Sequence, residues 1–365
     1  MVDEVRMTIN KNAEKTVVVA MSGGVDSSVA AALLLEEGYN VVGLMLRLWA
    51  EAGGSSNRCC TPDAVCDARR VANTLGIPFY VRDYKETFRQ TVVEYFIEGY
   101  AQGVTPNPCV MCNREIRFNR LLKEALSLGD YLATGHYVRI GQDEQGRYQL
   151  LKGIDHSKDQ SYVLYTLTQK RLAHVKFPVG HYSKTRIRQI AKDKNLPVFN
   201  RPDSQDLCFL GEGDYRDFLQ RQAPQTMQQG NIINSRGEVL GQHKGLAFYT
   251  IGQRKGLGIH SAEKMYVLDM DPASNNLTVG PAEELGQSEL HAHEVNYISG
   301  EAPVGSLPVT AKIRYKSNES EAILTCLPDR RAHVAFSKPL RDITPGQAVT
   351  FFQDEQVIGG GIISK

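Results

Sequence analysis

The run Ala20-Met21-Ser22-Gly23-Gly24-Val25-Asp26-Ser27-Ser28 lies between an apolar strand pattern, Thr16-Val17-Val18-Val19, and a helical pattern, Val29-Ala30-Ala31-Ala32-Leu33-Leu34-Leu35, closed by Gly38. Strand, glycine turn and helix in that order restrict the N-terminal part to an α/β architecture. Two glycines let the backbone turn tightly and approach a ligand closely. Small hydroxyl residues then leave unpaired N–H groups at a helix start, where the dipole favours an anion. A phosphate or pyrophosphate is the ligand implied, and Asp26 offers a hard oxygen for Mg²⁺ on that group. A glycine–serine turn capping an ordinary helix is the plainer alternative. No Walker A pattern, with its Lys beside the last Ser or Thr, occurs in the chain.

Further alternation follows. Val41-Val42-Gly43-Leu44-Met45-Leu46, Ile77-Pro78-Phe79-Tyr80-Val81 and Tyr131-Leu132-Ala133-Thr134 read as buried strands. A helix from Pro62 to Leu75 and helical spacing over 86–101 and 114–128 lie between them. Such a chain predicts a parallel sheet covered on both faces, with ligands beyond the carboxyl ends of its strands. The Ser22 loop, Leu46, the Gly135-His136-Tyr137 turn and the loop at Pro106 would share that edge. The prolines Pro106 and Pro108 predict a rigid loop rather than a helix around Cys109.

The texture changes near 221–232, where Gln222-Ala223-Pro224-Gln225 is polar and breaker-rich. Beyond about Asn275 short strands separated by turns are spaced as in a small barrel. The expected division is 1–215, 216–280 and 281–365. A chain of 365 residues has room for two or three domains, and 42% hydrophobic with 23% charged residues describes a soluble globular protein. No apolar stretch approaches the ~20 residues that span a bilayer, and Met1 to Arg6 lacks a secretory layout. Seven cysteines, an odd count, argue against a secreted disulfide framework, so a reducing cytoplasm is the expected location.

A net charge of +1 leaves nucleic acid open, but nine Lys or Arg residues fall between Thr168 and Arg201 against Asp193 alone. That stretch suits either an RNA backbone or one solvated helix face. Three arrangements compete for the cysteines. Cys112 and Cys208 would form a catalytic pair handling sulfur through persulfide and disulfide steps. Alternatively, Cys109, Cys112 and Cys208 would hold an iron–sulfur cluster with one open iron. Or Cys60 or Cys66 would join Cys109 and Cys112 around a structural zinc. Cys59, Cys60 and Cys66 also read simply as small half-buried hydrophobes.

Ser-Gly-Gly-Val-Asp-Ser-Ser resembles the pyrophosphate (PP) loop of the ATP-pyrophosphatases, an adenine nucleotide alpha hydrolase-like fold. Together with Cys112-Asn113, Ile116-Arg117-Phe118, Ala133-Thr134-Gly135-His136-Tyr137, Lys158-Asp159-Gln160-Ser161-Tyr162, Asp203-Ser204, Cys208-Phe209 and Thr250 to Gly258, it resembles the tRNA-specific 2-thiouridylases over about residues 14–365. The resemblance implies an N-terminal PP-loop domain, a small central domain and a C-terminal β-barrel. It implies thiolation of carbon 2 of the wobble uridine in tRNAs for Lys, Glu and Gln, after adenylation of the uracil oxygen by ATP with Mg²⁺. Ala20, Met21, Ser22, Gly23, Gly24, Val25, Asp26, Ser27, Leu46 and Gly135 would hold the nucleotide. Asn107, Pro108 and Cys109 would face the base. His136, Lys158, Asp159, Gln160, Arg314, Tyr315 and Gln347 would contact tRNA. Cys112 would be the nucleophile and Cys208 the persulfide carrier, supplied by a cysteine desulfurase or sulfur-relay protein. The family pattern is Asn-Pro-Asp-x-x-Cys, and Cys109 here replaces its Asp. That removes a carboxylate and adds a third thiol for a cluster.

Overall fold

The computed structural model describes residues 12–51, 62–203, 207–210, 213–341 and 343–364. Cys59 and Cys60 lie outside these residues.

Strands β1 (Thr16–Ala20), β2 (Asn40–Arg47), β3 (Phe79–Asp83) and β4 (Tyr131–Ala133) pair in parallel. β5 (Val138–Gln142) and β6 (Tyr148–Lys152) form a hairpin, and β7 (Val175–Lys176) adds to the edge beyond β4. The parallel order is β3-β2-β1-β4-β7. β1 is a run of Val buried on both faces, as a central parallel strand must be. The chain leaves β1 toward β2 on one side and returns to β4 on the other. The order therefore reverses beside β1, and the crevice opens past the carboxyl ends of β1 and β4.

Two sequence expectations fail here for physical reasons. The Pro106–Cys109 segment is not a loop throughout. Asn107 caps a helix whose first position is Pro108, its side-chain oxygen accepting from the backbone N–H of Cys109 (3.2 Å) and Val110 (3.3 Å). Proline lacks a donor that the first turn would leave unpaired anyway, so it starts a helix well. The helix runs from Pro108–Met111 through π-helical Cys112–Leu121 to Leu122–Leu128. The β5–β6 hairpin, absent from the sequence expectation, does not stay with the parallel sheet.

The C-terminal part closes as expected. Strands Gln287–Tyr297, Ser306–Lys312, Ser320–Leu327, Arg331–Leu340, Ala348–Gln353 and Gln356–Ile363 pair antiparallel, and the first pairs with the last to complete a six-stranded barrel. Alternating side chains fill it with Leu290, Val309, Leu324, Val334 and Phe351. The last strand also pairs with β6, so the hairpin extends the barrel's sheet. Tyr162, fully buried, donates its hydroxyl to the Ala348 carbonyl at 2.8 Å, and Thr350 donates to the Tyr162 carbonyl. Ala348, Phe352 and Val357 of the barrel share one apolar core with Val18, Leu132 and Phe177 of the first domain. Between them lies a four-stranded unit (Gly230–Asn234, Val239–His243, Tyr266–Asp271, Asn276–Gly280) with its own core. Among the described residues no helix is long and apolar enough to cross a membrane.

Candidate functional site

Helix Val25–Glu36 begins directly after the glycine turn, and Gly24 at its N-cap has no side chain to satisfy the first N–H groups. Those donors face the crevice, as a phosphate site requires. Two glycines are obligatory. Gly23 has φ +72°, and a Cβ there would lie 2.5 Å from the Ala64 carbonyl oxygen. At Gly135 a Cβ would lie 2.7 Å from the Ser27 nitrogen and 2.8 Å from the Asp26 carbonyl carbon. The segment after β4 thus rests directly on the start of the helix. Arg201 pins the loop from behind, donating to the Gly23 carbonyl and to Asp67, both at 2.7 Å. The Ser22 N–H donates to Ser27 Oγ, which donates onward to the Gly24 carbonyl.

Two adjoining cavities meet at this loop. The first is lined by Ala20, Met21, Ser22, Asp26, Ser27, Leu46, Gly135, His136 and Gln160, with Ile116 and Arg117 from the helix that carries Cys112. Seven of the ten expected nucleotide residues (Ala20, Met21, Ser22, Asp26, Ser27, Leu46 and Gly135) line that cavity. Gly24 and Val25 face the second cavity, with Lys158, Lys184, Arg201, Asp203 and Tyr315.

His136 is buried. Arg117 approaches its Nε2 at 3.0 Å and Thr134 Oγ1 its Nδ1 at 2.7 Å. Arg117 can only donate, so Nε2 accepts and Nδ1 carries the proton. Burial and the Arg117 charge hold the ring well below its usual pKa, and it stays neutral.

Asp26 faces the second cavity in a charged network. Lys184 Nζ lies 2.7 Å and 2.8 Å from its two carboxylate oxygens, and Tyr137 donates its hydroxyl at 2.7 Å. Burial and the Asp26 charge push Tyr137 far up, so it remains a donor. Lys184 also reaches Asp203 at 3.1 Å, and Asp203 takes further bonds from Lys158 and Arg188. Burial raises the Asp203 carboxyl, but the Lys158 and Lys184 bonds outweigh it and hold the group down at about 2. The basic stretch is therefore split. Lys184, Arg188 and Arg201 turn inward to carboxylates and backbone, which neither a free RNA-binding face nor a solvated face describes. Arg186 and Lys192 remain exposed. Sequence spacing held no signal for this, because Asp26 and Lys184 are 158 positions apart.

Cys112 and Cys208 are far apart in sequence and join one apolar cluster, with Ile116, Phe209 and Phe96. Cys112 is buried and Cys208 half-buried. Cys109 is exposed by surface area but recessed among protein atoms. That desolvation, then the neighbouring Cys112, push its thiol up to about 11 despite the Arg117 charge. Among the described residues no group of three or more His, Cys, Asp or Glu side chains is placed to hold a metal ion. Among the described residues the donor set therefore fits neither the iron–sulfur arrangement nor the zinc arrangement drawn with Cys66, and the one drawn with Cys60 lies outside them. Asp26 offers the hard carboxylate oxygens that Mg²⁺ takes, and in this structure the Lys184 ammonium stands between the Asp26 and Asp203 carboxylates.

The remaining expected RNA residues have structural partners. Gln160 accepts the Tyr137 N–H, and Asp159 accepts from Gly153 and Ser161. Arg314 donates to the Ile251 carbonyl and to Thr344, and Gln347 donates to the Thr105 carbonyl. Tyr315 is 43% exposed at the second cavity. Lys158 and Tyr315 thus stand at the loop itself, whereas Arg314 and Gln347 fasten the barrel to its neighbours.

Three family models match in order: a tRNA methyl transferase HUP domain over residues 15–212, a tRNA methyl transferase PRC-barrel domain over 216–281, and an aminomethyltransferase beta-barrel domain over 287–363. The chain is 51% identical to a protein named tRNA-specific 2-thiouridylase MnmA from Moorella thermoacetica, covering 95% of this chain and 99% of that one. It is 50% identical to the protein of the same name from Magnetococcus marinus, over 95% and 98%. To that of Desulforamulus reducens it is 47% identical, over 96% and 98%.

Proposed function

The chain belongs to the tRNA-specific 2-thiouridylase family, and from that premise we propose that it thiolates the wobble uridine of tRNAs for Lys, Glu and Gln by adenylation followed by sulfur transfer from a protein persulfide. The chain is a tRNA sulfurtransferase that uses ATP. One observation carries the two-step reading. The helix that carries Cys112 supplies Ile116 and Arg117 to the wall of the cavity that Ser22, Asp26 and Ser27 also line. That shared helix supports a reading in which nucleotide chemistry and sulfur chemistry are neighbours.

A uracil carbonyl oxygen is a poor leaving group, and adenylation makes it part of AMP. The open N–H groups after Gly24 hold the phosphates, Asp26 would hold Mg²⁺ to neutralise their charge, and Leu46 and Gly135 border the nucleotide. Neutral His136 fixes Arg117 beside the cavity without adding a second positive charge. The target base must leave its stack to reach this depth. Asn107, Pro108 and Cys109 then face it, and Lys158, Asp159, Gln160, Arg314, Tyr315 and Gln347 bear on the tRNA around it.

Cys208 receives a sulfur atom from a cysteine desulfurase or relay protein. The outer sulfur of its persulfide attacks carbon 2, and the carbon–oxygen bond to AMP breaks. Cys112 thiolate attacks Cys208 Sγ, the sulfur–sulfur bond breaks, and the outer sulfur stays on the base. The resulting Cys112–Cys208 disulfide needs an external thiol to restore it. The apolar cluster around both cysteines supports this step by excluding water from a labile persulfide.

The test is pyrophosphate release with and without tRNA, alongside mass spectrometry of anticodon nucleosides. Asp26→Ala is expected to abolish release and leave tRNA binding intact. Release that ignores tRNA, or turnover unchanged in Asp26→Ala, would overturn the assignment.

A further inference from the structure

Lys184 is the cation that pairs with Asp26 in the first turn of the helix, and its placement is over-determined. Ser183 caps helix Lys184–Asp193, accepting from the Arg186 N–H, and the Lys184 N–H donates to Asp155 at 2.9 Å. That helix packs against Val25–Glu36, so the two helix starts are fixed relative to each other. The Lys184 side chain is only 12% exposed and passes over the Tyr137 ring on its way to Asp26. Its ammonium faces a cavity whose other walls include Ser22, Gly24 and Arg201.

An ion pair between a carboxylate and an ammonium is a poor reason to bury both, since desolvation offsets most of their attraction. A highly charged ligand changes that balance. Lysine is a compact point charge suited to phosphate, and phosphate oxygens carry more charge than one carboxylate. Here Asp26 holds the ammonium beside the amides that receive the same anion.

Resting on the adenylation reading above, we propose that Lys184 is a catalytic residue of that step, passing from Asp26 to the β- and γ-phosphates when ATP binds and neutralising the pyrophosphate as it leaves. Uracil O2 bonds to the α-phosphorus, and uracil N3 gives its proton to water. The bond from the α-phosphorus to the bridging oxygen breaks, and its electron pair departs with pyrophosphate. Lys184 meets that developing charge and leaves the Asp26 carboxylate, which would then be free to hold a cation. One ligand thereby exchanges a carboxylate–ammonium pair for two new contacts.

The experiment uses the full chain, with Lys184→Met and Lys184→Arg, in the tRNA-dependent pyrophosphate assay. Lys184→Met should lower kcat roughly 100-fold, the loss typical of removing one charge-stabilising donor. Lys184→Arg should recover part of it. Inhibition by added inorganic pyrophosphate should weaken at least about tenfold in Lys184→Met, with tRNA affinity unchanged. A purely structural lysine would not move that inhibition. A folded Lys184→Met enzyme with wild-type kcat and wild-type pyrophosphate inhibition would overturn the proposal. Should Lys184→Met fail to fold, amine acetylation of the wild-type chain decides instead. Inorganic pyrophosphate should protect Lys184 from the reagent, and unprotected Lys184 would overturn the proposal. Wild-type enzyme that releases no pyrophosphate with tRNA would sink the adenylation reading, while the protection result still judges Lys184 by itself.

Discussion

Gly135 touches the start of helix Val25–Glu36 so closely that a methyl group on it would lie 2.7 Å from the backbone nitrogen of Ser27. The contact is backbone to backbone, so no side chain can swing aside. Gly135→Ala should cost about 1–3 kcal/mol of stability as an overpacked site. It should also raise the KM for ATP more than it lowers tRNA affinity, because the displaced atoms are those that, on the proposed reading, meet the phosphates. Calorimetry and the pyrophosphate assay check both, and an unchanged KM would contradict the contact.

Cys112→Ser and Cys208→Ser should each reduce 2-thiouridine to background while tRNA-dependent pyrophosphate release continues. Adenylation precedes sulfur delivery and needs neither thiol. Cys326→Ser, in the barrel where Tyr297 donates to its sulfur, should leave both products unchanged. Loss of pyrophosphate release in either of the first two variants would mean that the cysteine serves the nucleotide instead.

Cys109 should alkylate slowly for an exposed thiol. Its pKa, raised from 9.0 to about 11 by desolvation first and by Cys112 second, leaves about 100-fold less thiolate at pH 8. Peptide mass spectrometry of iodoacetamide-treated protein should show Cys66 modified well before Cys109. The Cys109 rate should keep climbing toward pH 11, and a plateau near pH 9 would refute the shift.

His136 should make the fold acid-sensitive. Burial, then Arg117, depress its pKa in the folded state, so the unfolded chain binds a proton that the folded chain refuses. Stability from this residue is complete above about pH 6.5, the ordinary histidine value, and falls away below it. His136→Asn should spare about 1 kcal/mol of the loss between pH 7.5 and 5.5 in urea unfolding. His181 and His243 are depressed too, by burial, so the slope should lessen rather than vanish. Identical slopes would refute the neutral ring.

Local order explains which of these features the sequence disclosed. Val17, Val18 and Val19 followed by the glycine turn are contiguous, and their strand, loop and helix stand as expected. The barrel strands from Ser306 onward alternate inward and outward side chains and were equally legible, although Gln287–Tyr297, with fewer apolar positions, was not. Pro108 misled because the same residue that breaks a helix interior opens a helix at its first position. Lys184 misled because charge counts carry no direction, and its partner Asp26 belongs to another element. That Cys112 and Cys208 join one apolar cluster depends on packing among Phe96, Phe209 and Phe218, which no spacing along the chain encodes.

The β5–β6 hairpin leaves the nucleotide domain and becomes part of the barrel wall. A continuous hydrogen-bonded ribbon, not a tether, joins the two, and Tyr162 rivets them from inside. The span from barrel to crevice is accordingly a fixed gauge. On the proposed reading, a transfer RNA seated against it would meet a caliper of set opening, and the target pyrimidine would have to leave its stack to reach the crevice.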